Sequence, residues 1–439
     1  MDRIWTVEID GRALPLAAAE YNTLQPGCFF DEPGCYWFGN FSLQEKKTQI
    51  RICSDLDLSH VRILPESVVE SFRNLSDHEL LLTLKASAVP IQFSVEDGSR
   101  DNALLLFGNL PEKDIPAADD GNLIFFGPGE HHPHCIELRS GQTLYLAENA
   151  VVHGFIHASG DNIRVCGRGI ITQKEYSRED AEMVLLFENC NHLTLQDFTG
   201  VNSVKWNLVL KNCNDVIVEN VKLCGSRTLN DDAIDICNSS NIVIRHCFLR
   251  AIDDIIAIKG LMDCQDAPCE NIVVEHTRMW CDLANVFRIG YECSTEAMQH
   301  GVFRNLDILH YTPGIRVDHN EFWRNAVILL QACAGMPIKD LLFENIRIHS
   351  DGYQTLLLDA ATCECSKWTG FGQIDGCILK DIRVYGTAGD FDGQICLDGG
   401  AADHSVRNIT LKNISYFGSK IKADFPQKLY GFAEKAVIC

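Results

Sequence analysis

The sequence predicts an all-β chain: a right-handed parallel β-helix preceded by an N-terminal antiparallel β-sandwich. Three observations predict it. An Asn or turn residue followed by alternating β-branched residues returns again and again beyond residue 120, the pair Asp231-Asp232 recurs as Asp253-Asp254 one period later, and no stretch carries a convincing helical period.

Residues 1–115 read as short strands separated by turns. Ile4-Trp5-Thr6-Val7-Glu8-Ile9 alternates and ends in the turn Asp10-Gly11, and further runs lie at 48–52, 79–84 and 91–95. Several such strands without amphipathic helices suggest an antiparallel sandwich. The polar, Pro-containing segment 110–121 reads as a linker. The β-helix is expected over 116–425, leaving 426–439 as a C-terminal tail.

Within 116–425 the repeats are Asn162-Ile163-Arg164-Val165, Asn191-His192-Leu193-Thr194-Leu195, Asn214-Asp215-Val216-Ile217-Val218, Asn241-Ile242-Val243-Ile244 and Asn271-Ile272-Val273-Val274. Their asparagines are spaced by 29, 23, 27 and 30 residues. Such periods belong to solenoids, and β-branched content selects strands over helices, giving roughly nine or ten coils. Asn189-Cys190-Asn191 and Asn212-Cys213-Asn214 occupy matching positions, as an asparagine ladder at a tight turn would. Cys190, Cys213 and Cys237, 23 and 24 residues apart, suggest a stacked row inside the solenoid.

The chain is acidic, with 38 Lys and Arg against 60 Asp and Glu and a formal charge of −22. That argues against nucleic acid and anionic membrane surfaces, which attract basic patches. The N-terminal residues show no basic, apolar leader pattern, so a cytosolic location is expected unless a leader has been removed. Twenty cysteines there are expected to be thiols, and without any Cys-x-x-Cys no zinc site is expected. His131-His132-Pro133-His134 is joined by no acid or cysteine of suitable spacing, and is expected to be a polar junction loop.

The chemistry concentrates where the period brings acids together. Asn230-Asp231-Asp232-Ala233-Ile234-Asp235-Ile236 aligns with Asp253-Asp254-Ile255-Ile256-Ala257-Ile258-Lys259 at an offset of 22 residues. One coil rises by a strand spacing of ~4.8 Å, so Asp231 would lie beneath Asp253 and Asp232 beneath Asp254. On the next coil Asn285 caps the Asp232–Asp254 column, and Arg288 falls in the row of Asp235 and Ala257. Tyr291 and Glu292 follow at once, and Lys259 leaves the strand that Asp254 enters. Crowded carboxylates repel, so such a cluster points to a proton, a metal or a substrate. Glycoside hydrolysis needs one protonated carboxyl at the leaving oxygen and one carboxylate behind a water, which crowding supplies. The rival chemistry is Ca²⁺ binding, as in sugar-acid lyases.

The run Asn230-x-Asp232-x-x-Asp235, with Asp253-Asp254 one coil later and Ile-x-Ile-Lys after it, resembles the core of the polygalacturonase family of inverting glycosidases. The N-terminal sandwich, Phe126-Gly127-Pro128-Gly129 and Gly167-Arg168-Gly169 look more like that family's dextranase and isopullulanase relatives. The resemblance implies Asp253 as general acid and Asp232 with Asp254 as holders of the attacking water. From their places beside the acids, Asn230, Asp231, Asp235, Lys259, Asn285, Arg288, Tyr291 and Glu292 are candidate substrate contacts, with structural roles open for Asp231 as a turn residue, Asp235 as a partner of Arg288, Lys259 as a coil-edge charge, and Arg288, Tyr291 and Glu292 as a surface salt-bridge cluster. Direct hydrolysis without cofactor or metal is expected.

The departures bear on substrate. Polygalacturonases carry Gly-His-Gly where this chain has Ala284-Asn285-Val286, and Arg-x-Lys where it has Ile328-Leu329-Leu330. With Asp231 in place of a small neutral residue, this points to a neutral, α-linked glycan as the partner. A uronic-acid glycan, a Ca²⁺-dependent lyase and a non-catalytic glycan-binding β-helix stand as alternatives. Exo action on short oligosaccharides is expected from the cytosolic location, and a homo-oligomer stays open. Trp206, Tyr311, Phe322 and Trp323 could stack on a sugar but are expected to pack against protein.

Overall fold

The computed structural model describes residues 4–24, 32–44, 47–96, 102–117, 121–180, 183–311, 324–349, 356–364, 369–386 and 395–439. The chain divides into two compact units, Met1–Ala117 and Ala118–Cys439.

In the first unit, alternation at Trp5–Ile9, Gln49–Ser54 and Glu79–Leu84 buries Trp5, Val7, Ile50, Ile52, Leu80 and Leu82 on one face of an antiparallel five-stranded sheet. The opposing sheet orders Ala17–Tyr21, Gly34–Ser42, Leu104–Asn109, Ile91–Glu96 and Arg62–Leu64. It packs Phe93, Val95, Leu104 and Leu106 against the first. The sandwich is therefore as expected, with one difference. Leu104–Asn109 runs parallel to Gly34–Ser42, because Leu104–Asn109 and Gly34–Ser42 are not joined as a hairpin and their order of pairing is a tertiary choice.

The second unit is a right-handed parallel β-helix, and its register can be followed along one inward row. Ile136, Ile156, Leu185, Leu208, Ile234, Ile256, Phe287, Ile328, Leu358, Ile395 and Gln427 stack in sequence. Nearly all are fully buried aliphatic or aromatic residues. Each level hides roughly 1.5–3 kcal/mol of apolar side chain from water, and period-2 alternation sends the residue between them to the opposite face. Gln427 corrects the expected tail: Gln427–Gly431 and Val437–Ile438 pair in parallel with the coil below. Their backbone groups complete the top of the stack.

The turns carry the predicted asparagine ladder. Asn241 donates from Nδ2 to Asn214 Oδ1 at 2.7 Å, and Asn271 to Asn241 Oδ1 at 2.9 Å. Asn241 and Asn271 hold φ of 57° and 55°, a left-handed geometry that asparagine tolerates better than most residues. The cysteine row is shorter than expected. Cys190 and Cys213 share a turn position, but the next coil places Ser239 there, whose hydroxyl accepts from the Cys213 amide at 2.8 Å. Cys237 pairs with Lys211 and Lys259 instead, on the other face.

His131-His132-Pro133-His134 is not a loop. It lies within the strand Gly129–Arg139, with a register shift between His131 and His134 against the strand Ala150–Asp161. Phe322 and Trp323 lie outside the described residues.

Removing the ladder should separate its two contributions. Asn241→Ala should cost about 2 kcal/mol, from the left-handed backbone and the two lost side-chain hydrogen bonds together. Asn241→Gly, which accepts that φ, should cost about 1 kcal/mol. Urea unfolding of both variants measures this, and equal losses would show that the backbone geometry contributes nothing.

Candidate active site

The acids are brought together by the strand register. Ile234 pairs with Ile256 and Asp235 with Ala257, which pairs in turn with Arg288. Just before these strands the backbone continues the stack: Asn207 N–H donates to Asp232 O, Ala233 N–H to Asp254 O, and Ile255 N–H to Asn285 O. With Leu208, Ile234, Ile256 and Phe287 in register, the positions two residues earlier, Trp206, Asp232, Asp254 and Asn285, occupy one column, as the 22-residue offset implied for the acids.

Lys259 is the electrostatic centre of the cluster. Its ammonium lies 2.7 Å from Asp232 Oδ2 and 2.7 Å from Asp235 Oδ1, and 3.6 Å from the centre of the Trp206 ring. The nearby acids hold its pKa well above the usual lysine value despite burial. Burial, offset by Lys259, keeps Asp235 well above the ordinary carboxylate range. Asp232 Oδ1 is buried without a hydrogen-bond partner, an acceptor facing the cluster.

Asp254 is held by Asn285. Its Oδ1 accepts from Asn285 Nδ2 at 2.7 Å and from the Asn285 amide at 3.2 Å, while Arg288 Nη1 stands 3.8 Å from Oδ2. Burial raises its pKa to about 6, the Arg288 charge restraining the rise. Asp253 differs from both neighbours in reaching solvent, being only partly buried. Its Oδ2 accepts the Asn230 amide at 3.2 Å. Burial of the carboxyl and the charges of Asp232 and Asp254 push its pKa far above the ordinary range.

Four candidate substrate contacts are buried against protein partners. Asp231 is fully buried, and its oxygens accept the amides of Ser226 at 2.5 Å, Ile252 at 2.9 Å and Asp253 at 3.2 Å. Burial pushes it up to about 8 against the pull of those amides. It shapes the turn that carries Asp253. Asn285 is also fully buried, its Oδ1 accepting the Ala326 amide at 2.9 Å while Nδ2 holds Asp254. Asp235 is fully buried against Lys259. Each side chain is spent on a protein partner, which alternation alone does not reveal. Lys259, 3% exposed, is likewise spent on protein acids.

The remaining expectations lie at the solvent edge. Arg288 donates from Nη2 to Gln331 Oε1 at 3.2 Å and stacks on the Tyr291 ring at 4.8 Å. Tyr291 and Glu292 are partly exposed. Asn230 is exposed, with φ of 63°. Tyr311 is buried, as expected of packing. Trp206 is a site residue that sequence reasoning discounted. It stands at the Asp232 position one coil earlier, so the register that found Asn285 could have placed it in the column.

A second layer was missed entirely. Asp282 accepts from Ser226 Oγ at 2.5 Å, Arg250 Nε at 2.9 Å and Trp280 Nε1 at 2.8 Å, bracing the turn that Asp231 closes.

The fold and site define a class, a parallel β-helix with a glycosidase-like carboxylate cluster, and comparison with known proteins agrees. The model of glycosyl hydrolases family 28 matches residues 148–277, the segment that holds Asp232, Asp253, Asp254 and Lys259. An exopolygalacturonase of Rhizopus delemar is 29% identical over 109 residues, covering 24% of this chain and 25% of that protein. A probable exopolygalacturonase B of Emericella nidulans is 21% identical over 291 residues, covering 58% of this chain and 61% of its own length. The matches thus span a quarter to three fifths of these curated relatives. In fold, the chain is similar to Dex49A from Penicillium minioluteum, with a TM-score of 0.70 at 12% identity over 99% of this chain and 93% of that one. It is also similar to the family 28 exopolygalacturonase of Yersinia enterocolitica, with a TM-score of 0.50 at 12% identity over 90% and 96% of the two chains. The resemblance read from the acidic motif therefore holds.

Removing the central cation should expose the cost of the cluster. Lys259→Met leaves Asp232 and Asp235 buried without their counter-charge, which costs about 3–5 kcal/mol near neutral pH. The raised pKa of Asp235 would rise further without the Lys259 charge, so the loss should grow as pH climbs above the unfolded value of about 4 and shrink as acid neutralises it. Denaturation at several pH values measures this, and a pH-independent deficit would contradict the electrostatic account.

Proposed function

We propose that this chain is an inverting glycoside hydrolase that cleaves an α-linked glycan of neutral sugars, with no cofactor in the hydrolytic step. The observation that carries the reading is the asymmetry among the three acids. Asp253 alone reaches solvent with its carboxyl kept protonated, while Asp232 and Asp254 sit buried beside it, each tied to a cation or an amide.

In the proposed reaction Asp253 gives its proton to the glycosidic oxygen as the bond to the anomeric carbon breaks. Water held between Asp232 and Asp254 attacks that carbon from the opposite face, and its proton passes to the carboxylate pair. Arg288, Tyr291, Glu292 and Trp206 line the approach. Arg288 also keeps Asp254 ionised near neutrality. The preference for neutral sugar rests on the two cations, since Lys259 and Arg288 are both engaged by acids. The second reading, a uronic-acid glycan, is favoured by the similarity to exopolygalacturonases, with Arg288 as the group that would meet the carboxylate.

Product release from neutral and uronic α-linked oligosaccharides, followed by NMR of the new anomeric centre, tests both readings. Neutral substrates should be cleaved with inversion, and Asp253→Asn should lose about 10²–10⁴-fold in kcat/KM. Cleavage of uronic substrates alone would transfer the assignment to the second reading. An unsaturated, ultraviolet-absorbing product would indicate a lyase, and undiminished turnover by Asp253→Asn would remove that residue from its role.

The pH profile offers a separate check. Activity should rise as pH passes through about 6, where Asp254 ionises, and fall at higher pH as Asp253 loses its proton. Arg288→Gln removes a charge that lowers the Asp254 pKa, so the acidic limb should move upward. A limb that stays in place would show that another group controls it.

A further inference from the structure

The strand that sequence reasoning dismissed as a polar loop assembles a cluster of imidazoles and carboxylates from three successive coils. The register shift between His131 and His134 sets His132 against His153, their rings 4.4 Å apart and 20° from parallel. One ligand atom from each of Glu130, His132 and His153 lies within 4.8 Å of the other two. His153 Nε2 is 2.6 Å from Glu130 Oε2. Glu175, one coil further, stands at the Nδ1 side of both rings, 3.1 Å from His132 and 3.5 Å from His153.

We propose that Glu130, His132 and His153 bind a divalent transition-metal ion of the zinc type, with Glu175 orienting the His132 imidazole. Two histidines and a carboxylate are a donor set that zinc accepts, with room for water in a fourth position. A carboxylate on the second ring nitrogen is the usual partner of a metal-bound histidine, since it fixes the tautomer and aims the other nitrogen at the ion. The charge also balances. Two carboxylates and two neutral imidazoles carry −2, and among the described residues the ion-pair partners of Glu130 and Glu175 are these histidines. Ligand atoms around tetrahedral zinc lie about 3.3 Å apart, so the set must close slightly. The Glu130 and His132 side chains, 63% and 55% exposed, are free to make that adjustment.

The site reaches the acid cluster through the chain. Glu175 belongs to the segment 173–180, which Arg227 grips by donating to the carbonyls of Gln173 at 2.8 Å and Lys174 at 3.0 Å. From the same segment Arg178 donates to Thr228 Oγ1 at 2.5 Å and to the Leu229 carbonyl. The next residue, Asn230, holds Asp253. A bound ion would therefore fasten the first coils to the segment that braces the turn beside Asp253. This is a structural site, separate from the hydrolytic acids.

Isothermal titration of the metal-stripped full chain with Zn²⁺ tests the proposal, beside His132→Asn and Glu175→Gln. The wild type should bind one ion per chain and gain in thermal unfolding temperature on adding Zn²⁺. His132→Asn should lose both effects, and Glu175→Gln should bind about 10–100-fold more weakly. Absence of saturable binding, or binding undiminished in His132→Asn, would overturn the assignment. Because these readouts are affinity and unfolding temperature, they stand whether or not the glycan reading does.

Discussion

The Lys259 ammonium, 2.7 Å from two buried carboxylates, is the interaction on which the site depends. Parallel coils stack identical positions one strand spacing apart, so an acid repeated at coil period is forced beside its copy. Without a cation inside the cluster, desolvation and repulsion from Asp232 would neutralise Asp235 or disrupt the turn. Lys259 can do this because Cys237 and Lys259 are register partners, which sends its side chain to the same face as Asp235 and Ala257. Trp206 covers it, excluding water and strengthening the attraction.

Around that pair the acids are differentiated by their second partners. Asn285 and Arg288 pull Asp254 toward ionisation, while Asp253 has one amide donor and two anionic neighbours. Neighbouring groups of the same chemical type thereby acquire opposite proton preferences, the condition for acid and base to work in one step. Asp231 and Asp282 act further out. Asp231 collects three backbone amides, and Asp282 ties Ser226 to Arg250 and Trp280. The turn bearing Asp253 is held from beneath by buried charge rather than by apolar packing, which favours a defined geometry over stability.

The cysteine row and the histidine strand show how far periodicity reaches. Coil period placed Cys190 and Cys213 together but not Cys237, because the next coil is three residues longer, 26 against 23, and moves the next position to Ser239. The histidines show the converse. His132, His153 and Glu175 are spaced by 21 and 22 residues, the same period that exposed the acids, yet a search for local metal motifs passes over ligands drawn from three coils. The register test applied to Asp231 and Asp253 would have found them.

By itself the sequence determined the solenoid, the sandwich before it, the column Asp232–Asp254–Asn285 and the row Asp235–Ala257–Arg288. These follow from hydrophobic alternation and a nearly constant period, and a one-residue slip would turn every buried side chain outward. Only the tertiary structure decided which polar residues face the cleft. Asp231 and Asn285 share the pattern of site residues but are spent on backbone amides of nearby turns, whose paths depend on loop length and not on period, and Asp235 is spent on Lys259. The parallel pairing in the sandwich and the incorporation of residues 426–439 were decided in the same way. Each satisfies backbone groups against a strand distant in sequence, and distance in sequence leaves no local signal.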